Sequence, residues 1–298
     1  MLTWTEAGAV QRPDVVQIRV QRAYPGRVRA GAPVPTRSMS RQEIEDNLHF
    51  FTEGMAGPRA RRCQRLVLSG VGVAAREDTP EVLARAHELG MTQVVLHIGA
   101  EDLEGFDLSR HRDRVDTVVV PVQPGPGVGL RAGARVLRAC VDAGVRVATN
   151  TVLSEAGLRD LEVAARAIAS VGPGSATFTY PFPIAGNTAA MVPAVGAVVA
   201  ALSRAVPRLE EAGVQVILKG LPRCYLGPLG RLVGRTINRW YVDADHQLGE
   251  AILFFPGVVR FHKSEGCRFC VADPDCDGFF ATYLRRPGFP ELEPISAP

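Results

Sequence analysis

Short apolar runs along the chain alternate with longer segments whose apolar positions recur every three to four residues. That alternation predicts strands separated by amphipathic helices. Val15 to Val20 reads as a strand, and Ser40 to Phe51 as a helix with Ser40 at its N-cap and Glu43 three residues on, the signature of a capping box. Arg65 to Leu68 is a short strand, and Thr79 to Leu89 a helix with Thr79 as N-cap, Pro80 in the first turn and Gly90 at its end. Thr92 to His97 follows as a strand. Thr117 to Val122 is an almost unbroken valine run, expected to be buried on both faces. Leu130 to Ala143 is a helix stopped by Gly144, and Val145 to Val152 a strand. Gly157 to Ser170, Ala176 to Tyr180, Val195 to Ala212 and Val214 to Leu218 continue the pattern, with Pro207 expected to kink or interrupt the last helix.

These elements make about six βα units, the arrangement of an α/β fold with a parallel sheet, either doubly wound or a closed or partial barrel. Ligands of such sheets gather at the carboxyl ends of the strands. Those ends hold Gln21 to Tyr24, Ser69 to Gly72, His97 to Gly99, Gln123, Asn150, Tyr180 to Pro183 and Lys219. Beyond residue 220 the pattern changes: cysteines and aromatics accumulate and the tail is rich in proline. Residues 1–220 are therefore expected to form the βα domain, and 221–298 a small cysteine-rich C-terminal domain.

The 298 residues are 46% hydrophobic and 22% charged, which suffices for a full core and excludes general disorder. A net charge of +3 gives no reason to expect nucleic acid or an anionic membrane as partner. Met1 to Val10 lacks the basic and apolar regions of a secretory signal, and Met191 to Leu202 is too short for a membrane span. The expected location is the cytoplasm, where clustered cysteines stay reduced and serve as metal ligands or catalysts.

Four of the six cysteines follow residue 220. Cys267, Cys270 and Cys276 form C-x2-C-x5-C, and Cys224 arrives from far upstream. Two thiolates two residues apart can hold one centre from a single tight turn, and two more complete a four-thiolate site. Such sites suit zinc or iron–sulfur. The uneven spacing, without a second C-x2-C pair, favours a [4Fe–4S] cluster over zinc. Cys63 and Cys140 read as packing residues instead.

Other features carry less. Pro124-Gly125-Pro126-Gly127-Val128-Gly129 has neither a Walker lysine nor a dinucleotide fingerprint, and reads as a βα loop. Tyr180-Pro181-Phe182-Pro183 reads as a rigid turn and pocket wall, and His97 as an ordinary structural histidine. Arginines cluster at 19, 22, 27, 29 and 37, but only Lys219 and Lys263 are lysines in the whole chain, so arginine is simply its usual base.

Taken together, these motifs resemble the radical S-adenosylmethionine (radical SAM) family, in particular members with a C-terminal auxiliary iron–sulfur domain of the SPASM or twitch type. The pattern Cys267-x2-Cys270-x5-Cys276-Asp277-Gly278, followed by Tyr283, Gly288, Glu291 and Pro294, is similar to that auxiliary module. Ser38 to Ile44 resembles the stretch after the family's cluster loop, and Arg65 to Gly90 its second βα unit. The resemblance implies a partial parallel (β/α)6 barrel. It also exposes two departures. The family holds its catalytic cluster with C-x3-C-x2-C after the first strand, and here Tyr24, Val28 and Gly31 stand at those positions, with no cysteine before Cys63. The Gly-Gly-Glu-Pro-type turn that grips SAM is replaced by Gly70-Val71-Gly72-Val73-Ala74, without acid or proline. The resemblance therefore implies a degenerate member that retains one auxiliary [4Fe–4S] cluster (alternative: zinc) and is not expected to bind SAM. Its expected role is a non-catalytic subunit binding a peptide substrate or an active radical SAM partner. The alternative is an enzyme with SAM-independent chemistry at the barrel mouth or the auxiliary cluster.

Overall fold

The structure, a computed structural model, describes residues 15–21, 37–54, 63–99, 102, 107–125, 128–183, 192–234, 239–249, 251, 261–286 and 288–296. Its main sheet is parallel, with strand order β7-β6-β5-β4-β3-β2-β1-β8, and a two-stranded antiparallel pair, β9 and β10, stands apart from it. The chain divides into two compact units. One comprises Met1–Val120, Ala139–Val147 and Ile237–Gly257, and the other Pro121–Arg138, Ala148–Thr236 and Val258–Pro298. Residues beyond 220 thus contribute to both.

The first unit contains β1 (Val15–Arg19), α1 (Arg41–His49), β2 (Arg65–Ser69), α2 (Thr79–Glu88), β3 (Gln93–His97), β4 (Thr117–Pro121, whose last residue belongs to the second unit) and β8 (Arg239–Val242). Period-two alternation of burial marks β3, β4 and β8. Val16, Ile18, Leu66, Leu68, Val94, Leu96, Val118, Val120, Trp240 and Val242 are buried. Strands β1 and β2 are buried on both faces, where Gln17 donates to Ser69 Oγ at 3.2 Å and accepts from Arg239 at 2.9 Å. In the Thr117 strand Thr117 and Val119 are half-buried, so its expected burial on both faces is corrected.

Strand β8 has no counterpart in the hydrophobic pattern of the sequence. It lies parallel to β1, Val15 opposite Arg239 and Ile18 opposite Val242. Its anchor is Trp240, fully buried, edge-on to Phe51 at 5.4 Å between centroids. Four residues carry too little periodicity to announce a strand; the partner across the sheet decides it.

Helix α1 has the expected capping box. Ser40 Oγ accepts from the Glu43 amide at 3.2 Å, and Glu43 Oε2 accepts from the Ser40 amide at 2.8 Å. The last expected turn, Phe50–Gly54, widens into a π-helix. Chiefly the Ser40 amide, then the Gln247 side chain, hold the Glu43 carboxyl at about 2, below its ordinary 4.5. A depressed folded pKa means the contribution to stability is complete above about 4.5 and is lost as pH falls toward 2. Glu43→Ala should lower stability by about 1 kcal/mol at neutral pH. In urea unfolding, this gap should narrow between pH 4.5 and pH 2, as the Glu43 carboxyl of the wild type takes up its proton. A gap that stays constant over that range would contradict the reciprocal cap.

Helix α2 begins as expected, but its N-cap is Asp78 rather than Thr79, whose hydroxyl donates to the Val73 carbonyl at 2.5 Å instead. Arg76 explains why Asp78 makes no cap bond: its guanidinium takes both carboxylate oxygens, at 2.8 and 2.6 Å.

The second unit contains α3 (Val128–Asp142, whose last turn belongs to the first unit), β5 (Val147–Val152, from Ala148 onward), α4 (Leu161–Val171), β6 (Ser175–Thr179), α5 (Val195–Glu211), β7 (Gln215–Lys219), β9 (Phe261–His262), β10 (Phe279–Phe280) and α6 (Ala281–Leu284). Pro207 does not interrupt α5, contrary to expectation. It lies on the exposed side with Ser203, the residue whose carbonyl loses its helical partner, so water replaces the missing bond at little cost. On the half-buried face of β5, β6 and β7, Thr179 donates to Asn150 Oδ1 at 3.0 Å and stands opposite Lys219.

Candidate functional site: a four-thiol recess

The second unit brings together what the sequence separates. From β7 the chain turns through Pro222 into a short 3-10 turn, Arg223–Tyr225, which presents Cys224. A second 3-10 turn, Glu265–Phe269, carries Cys267, and a third, Asp273–Asp275, leads to Cys276. Cys224, Cys267, Cys270 and Cys276 all line one recess, with Arg223, Lys263, Asp273, Gly278, Leu292, Glu293 and Ile295 among its other walls. The recess is partly open to solvent. All four thiols are half-buried.

An aromatic layer supports these turns. Phe279 lies against Tyr180, Tyr225, Tyr283 and Phe289 at centroid separations of 5.4 to 5.7 Å, and Tyr283 stacks on Phe289 at 5.2 Å. Two phenols tie the layer to backbone: Tyr283 donates to the Pro181 carbonyl at 2.8 Å, and Tyr225 donates to that of Pro290. Of the stretch Tyr180 to Pro183, expected to form a pocket wall, Tyr180 and the Pro181 carbonyl meet this aromatic layer, and none of the four residues lines the recess. Burial raises the Tyr180 and Tyr283 phenols well above their ordinary range, so both stay neutral donors.

Each thiol has a polar hydrogen directed at it or within reach. The Gly278 amide donates to Cys276 Sγ at 3.4 Å, and the Ile295 amide to Cys270 Sγ at 3.3 Å. Ser264 Oγ lies 3.3 Å from Cys267 Sγ, and the Glu293 backbone hydrogen-bonds Cys224. Burial, followed by the neighbouring Cys276 thiol, pushes the Cys224 thiol up from its ordinary value, with Cys267 adding to the effect. Gly278 is required where it stands. Its φ is +81°, and a Cβ there would lie 2.1 Å from the His262 carbonyl oxygen. Lys263 spans the recess wall to Asp273, at 2.8 Å to its carbonyl and 2.9 Å to Oδ1. The Nε of Arg223, in contrast, is buried without a hydrogen-bond partner.

Among the described residues, no three His, Cys, Asp or Glu side chains converge as ligands of one metal ion. Sequence reasoning identified the four cysteines but missed Arg223, Ser264 and the Gly278 amide. Only the placement of Arg223 beside Cys224 and of Gly278 two residues after Cys276 hinted at them.

The remaining cysteines lie in the first unit and are fully buried: Cys63 donates to the Arg65 carbonyl at 3.6 Å, and Cys140 sits within α3. Burial, and secondarily the charge of Asp102, raises the Cys140 thiol to about 11, which keeps it protonated and inert.

The other sequence-predicted site belongs to the first unit. Gly70 and Gly72 form the turn after β2, both with positive φ. A Cβ on Gly70 would stand 2.8 Å from the Gln21 amide nitrogen, so the turn presses directly on the end of β1. An acid missing from the motif is present nearby in space. Asp102, 1% exposed, accepts from the Ala74 and Ala75 amides with Oδ1 at 2.7 and 3.4 Å, and from the Gly99 amide with Oδ2 at 2.7 Å. The turn thus supplies no carboxylate of its own, and its last two amides are engaged by the chain itself. Tyr24, Val28 and Gly31 lie outside the described residues. His97 ends β3 opposite Val119 and is engaged with protein partners. No described helix is long and apolar enough to cross a membrane.

No protein-family model and no curated protein sequence matches the chain. Solved structures do. SuiB of Streptococcus suis, bound to its precursor peptide SuiA, aligns with a TM-score of 0.60 at 10% identity, over 94% of this chain and 75% of SuiB. SuiB bound to S-adenosylmethionine aligns at 0.58 and 9% identity, over 94% and 74%. At such identities the likeness is one of fold. The parallel strand order and these alignments establish the expected α/β architecture: the chain has the partial parallel barrel fold of the radical SAM type.

Proposed function

We propose that this chain is a degenerate radical-SAM-like protein that binds one [4Fe–4S] cluster in the C-terminal recess and serves as a non-catalytic, substrate- or partner-binding subunit. The observation that carries the cluster is the recess itself, lined by four thiols from distant segments, three of them met by a backbone amide and the fourth, Cys267, beside the Ser264 hydroxyl. Amide and hydroxyl hydrogens stabilise thiolate sulfur, and such contacts tune iron–sulfur centres. The uneven C-x2-C-x5-C spacing, without a second C-x2-C pair, favours the cluster over zinc. Cys224, Cys267, Cys270 and Cys276 would hold it, and when bound it would supply one-electron redox capacity.

The non-catalytic half of the reading rests on the β2 turn. It lacks the acid that would meet the amino group of S-adenosylmethionine, and Asp102 already satisfies the amides of Ala74 and Ala75. These residues do not fit the cofactor. SuiB, with the same fold, was solved bound to a precursor peptide, and this favours a peptide as the partner here; an active radical SAM protein is the other partner we propose. We assign 221–298, apart from the stretch Ile237–Gly257 that joins the first unit, as the auxiliary module and the cytoplasm as the setting, where its thiols remain reduced.

Anaerobic reconstitution with iron and sulfide tests the reading. We expect about four irons and four sulfides per chain, falling to background in Cys267→Ser/Cys270→Ser. One zinc and no sulfide would overturn the cluster assignment. About eight irons, or reductive cleavage of S-adenosylmethionine by the loaded protein, would overturn the degenerate reading.

A further inference from the structure

Among the described residues, Arg223 is the recess cation that forms no ion pair. Lys263, the other, is neutralised by Asp273 at 2.9 Å. The Arg223 Nε is buried without a hydrogen-bond partner. A buried donor left unmet costs about 1–3 kcal/mol, so a folded chain retains one only where something else meets it or where its conformation is imposed. The backbone here is closely constrained: Gly230 of the following turn packs so tightly that a Cβ would lie 3.0 Å from the Arg223 carbonyl oxygen. The residue is fixed beside Cys224 at the recess wall.

The thiols do not account for this donor, because Cys276, Cys270 and Cys224 already receive backbone hydrogens from Gly278, Ile295 and Glu293. A four-thiolate cluster brings further acceptors, its inorganic sulfides, and a net negative charge that grows by one on reduction. We propose that Arg223 is a potential-setting residue, its Nε–H donating to a sulfur of the bound cluster and stabilising the reduced form. The inference rests on the cluster reading above. A cationic donor strengthens its hydrogen bond as the acceptor becomes more negative, so it favours the state with the extra electron.

The test compares wild type, Arg223→Met and Arg223→Lys after anaerobic reconstitution. Iron and sulfide are counted first, and each protein is then titrated with dithionite through redox mediators while the reduced cluster is followed by electron paramagnetic resonance. At the poise where half the wild-type cluster is reduced, we expect Arg223→Met to show an about tenfold lower ratio of reduced to oxidised cluster, the equivalent of one charged hydrogen bond. Arg223→Lys, which keeps the charge but loses the planar Nε–H, should fall between them. Wild-type chain without iron and sulfide overturns the cluster reading itself. Loaded variants with the wild-type ratio overturn the role of Arg223 and leave the cluster reading standing. If Arg223→Met does not load, Arg223→Lys decides, and a ratio equal to wild type overturns the proposal.

Discussion

Gly278→Ala should unfold the cysteine turns of the second unit. The residue stands at φ +81°, a region that costs an L-residue about 1–2 kcal/mol. The greater penalty is steric: the new methyl carbon would lie 2.1 Å from the His262 oxygen and 2.9 Å from its carbonyl carbon. Those are backbone atoms of β9, paired with Phe279 of β10, so neither side can swing away as a side chain would. Relief requires breaking that two-stranded pair or moving Cys276, whose sulfur accepts from the Gly278 amide. We expect a loss of roughly 3 kcal/mol or more in the stability of this unit. The apo-protein should show a lower melting temperature, and Cys276 should react faster with a disulfide reagent than in wild type. An unchanged melting temperature would show that the turn relaxes without cost, and the close approach would then have no energetic weight.

Asp102→Ala is expected to be nearly as damaging, in the other unit. Removing the carboxylate leaves the amides of Ala74, Ala75 and Gly99 without their acceptor in a site closed to water. Each unmet donor costs about 1–3 kcal/mol. The longest of the three contacts, 3.4 Å to Ala75, contributes least, so we expect a total of about 4 kcal/mol. Asp102→Asn should fall between wild type and Asp102→Ala, because its amide keeps one acceptor oxygen and turns the other position into a donor. Equilibrium urea unfolding ranks the three proteins. Amide exchange at residues 74, 75 and 99 shows whether the loss is local, with faster exchange in both variants as the expected outcome. If Asp102→Asn matched wild type in both measurements, the carboxylate would not be what holds the turn.

The two sites differ in how far the sequence displays them. The cysteines are visible because sulfur ligation uses a rare residue at a short spacing, so Cys267, Cys270 and Cys276 mark one another without any knowledge of the fold. Asp102 is not visible. It is one acid among many and lies 28 residues from Ala74, and nothing local distinguishes a buried carboxylate from a solvated one. Arg223 is similarly hidden by the chain's preference for arginine, and only the loss of its partner through burial sets it apart.

Local rules acted where the competing forces were local too. The capping box at Ser40 and Glu43 formed because both partners lie within one turn of backbone. The N-cap shifted from Thr79 to Asp78 because the Thr79 hydroxyl found the Val73 carbonyl, a partner supplied by the preceding turn rather than by the helix. Pro207 was tolerated because its side of α5 faces water, a fact of packing that the residue type does not carry.

By itself, then, the sequence determined the alternation of strands and helices, since hydrophobic periodicity is a property of neighbours, and it marked Cys267, Cys270 and Cys276 as one group, since short spacing is as well. Only the tertiary structure decided that Arg239 to Val242 completes the sheet beside β1, that Cys224 joins the other three at one recess, and that Asp102 occupies the amides of the β2 turn. Each of those depends on atoms far apart along the chain. Their energies come from burial and from satisfied donors, and neither exists until the chain has closed on itself.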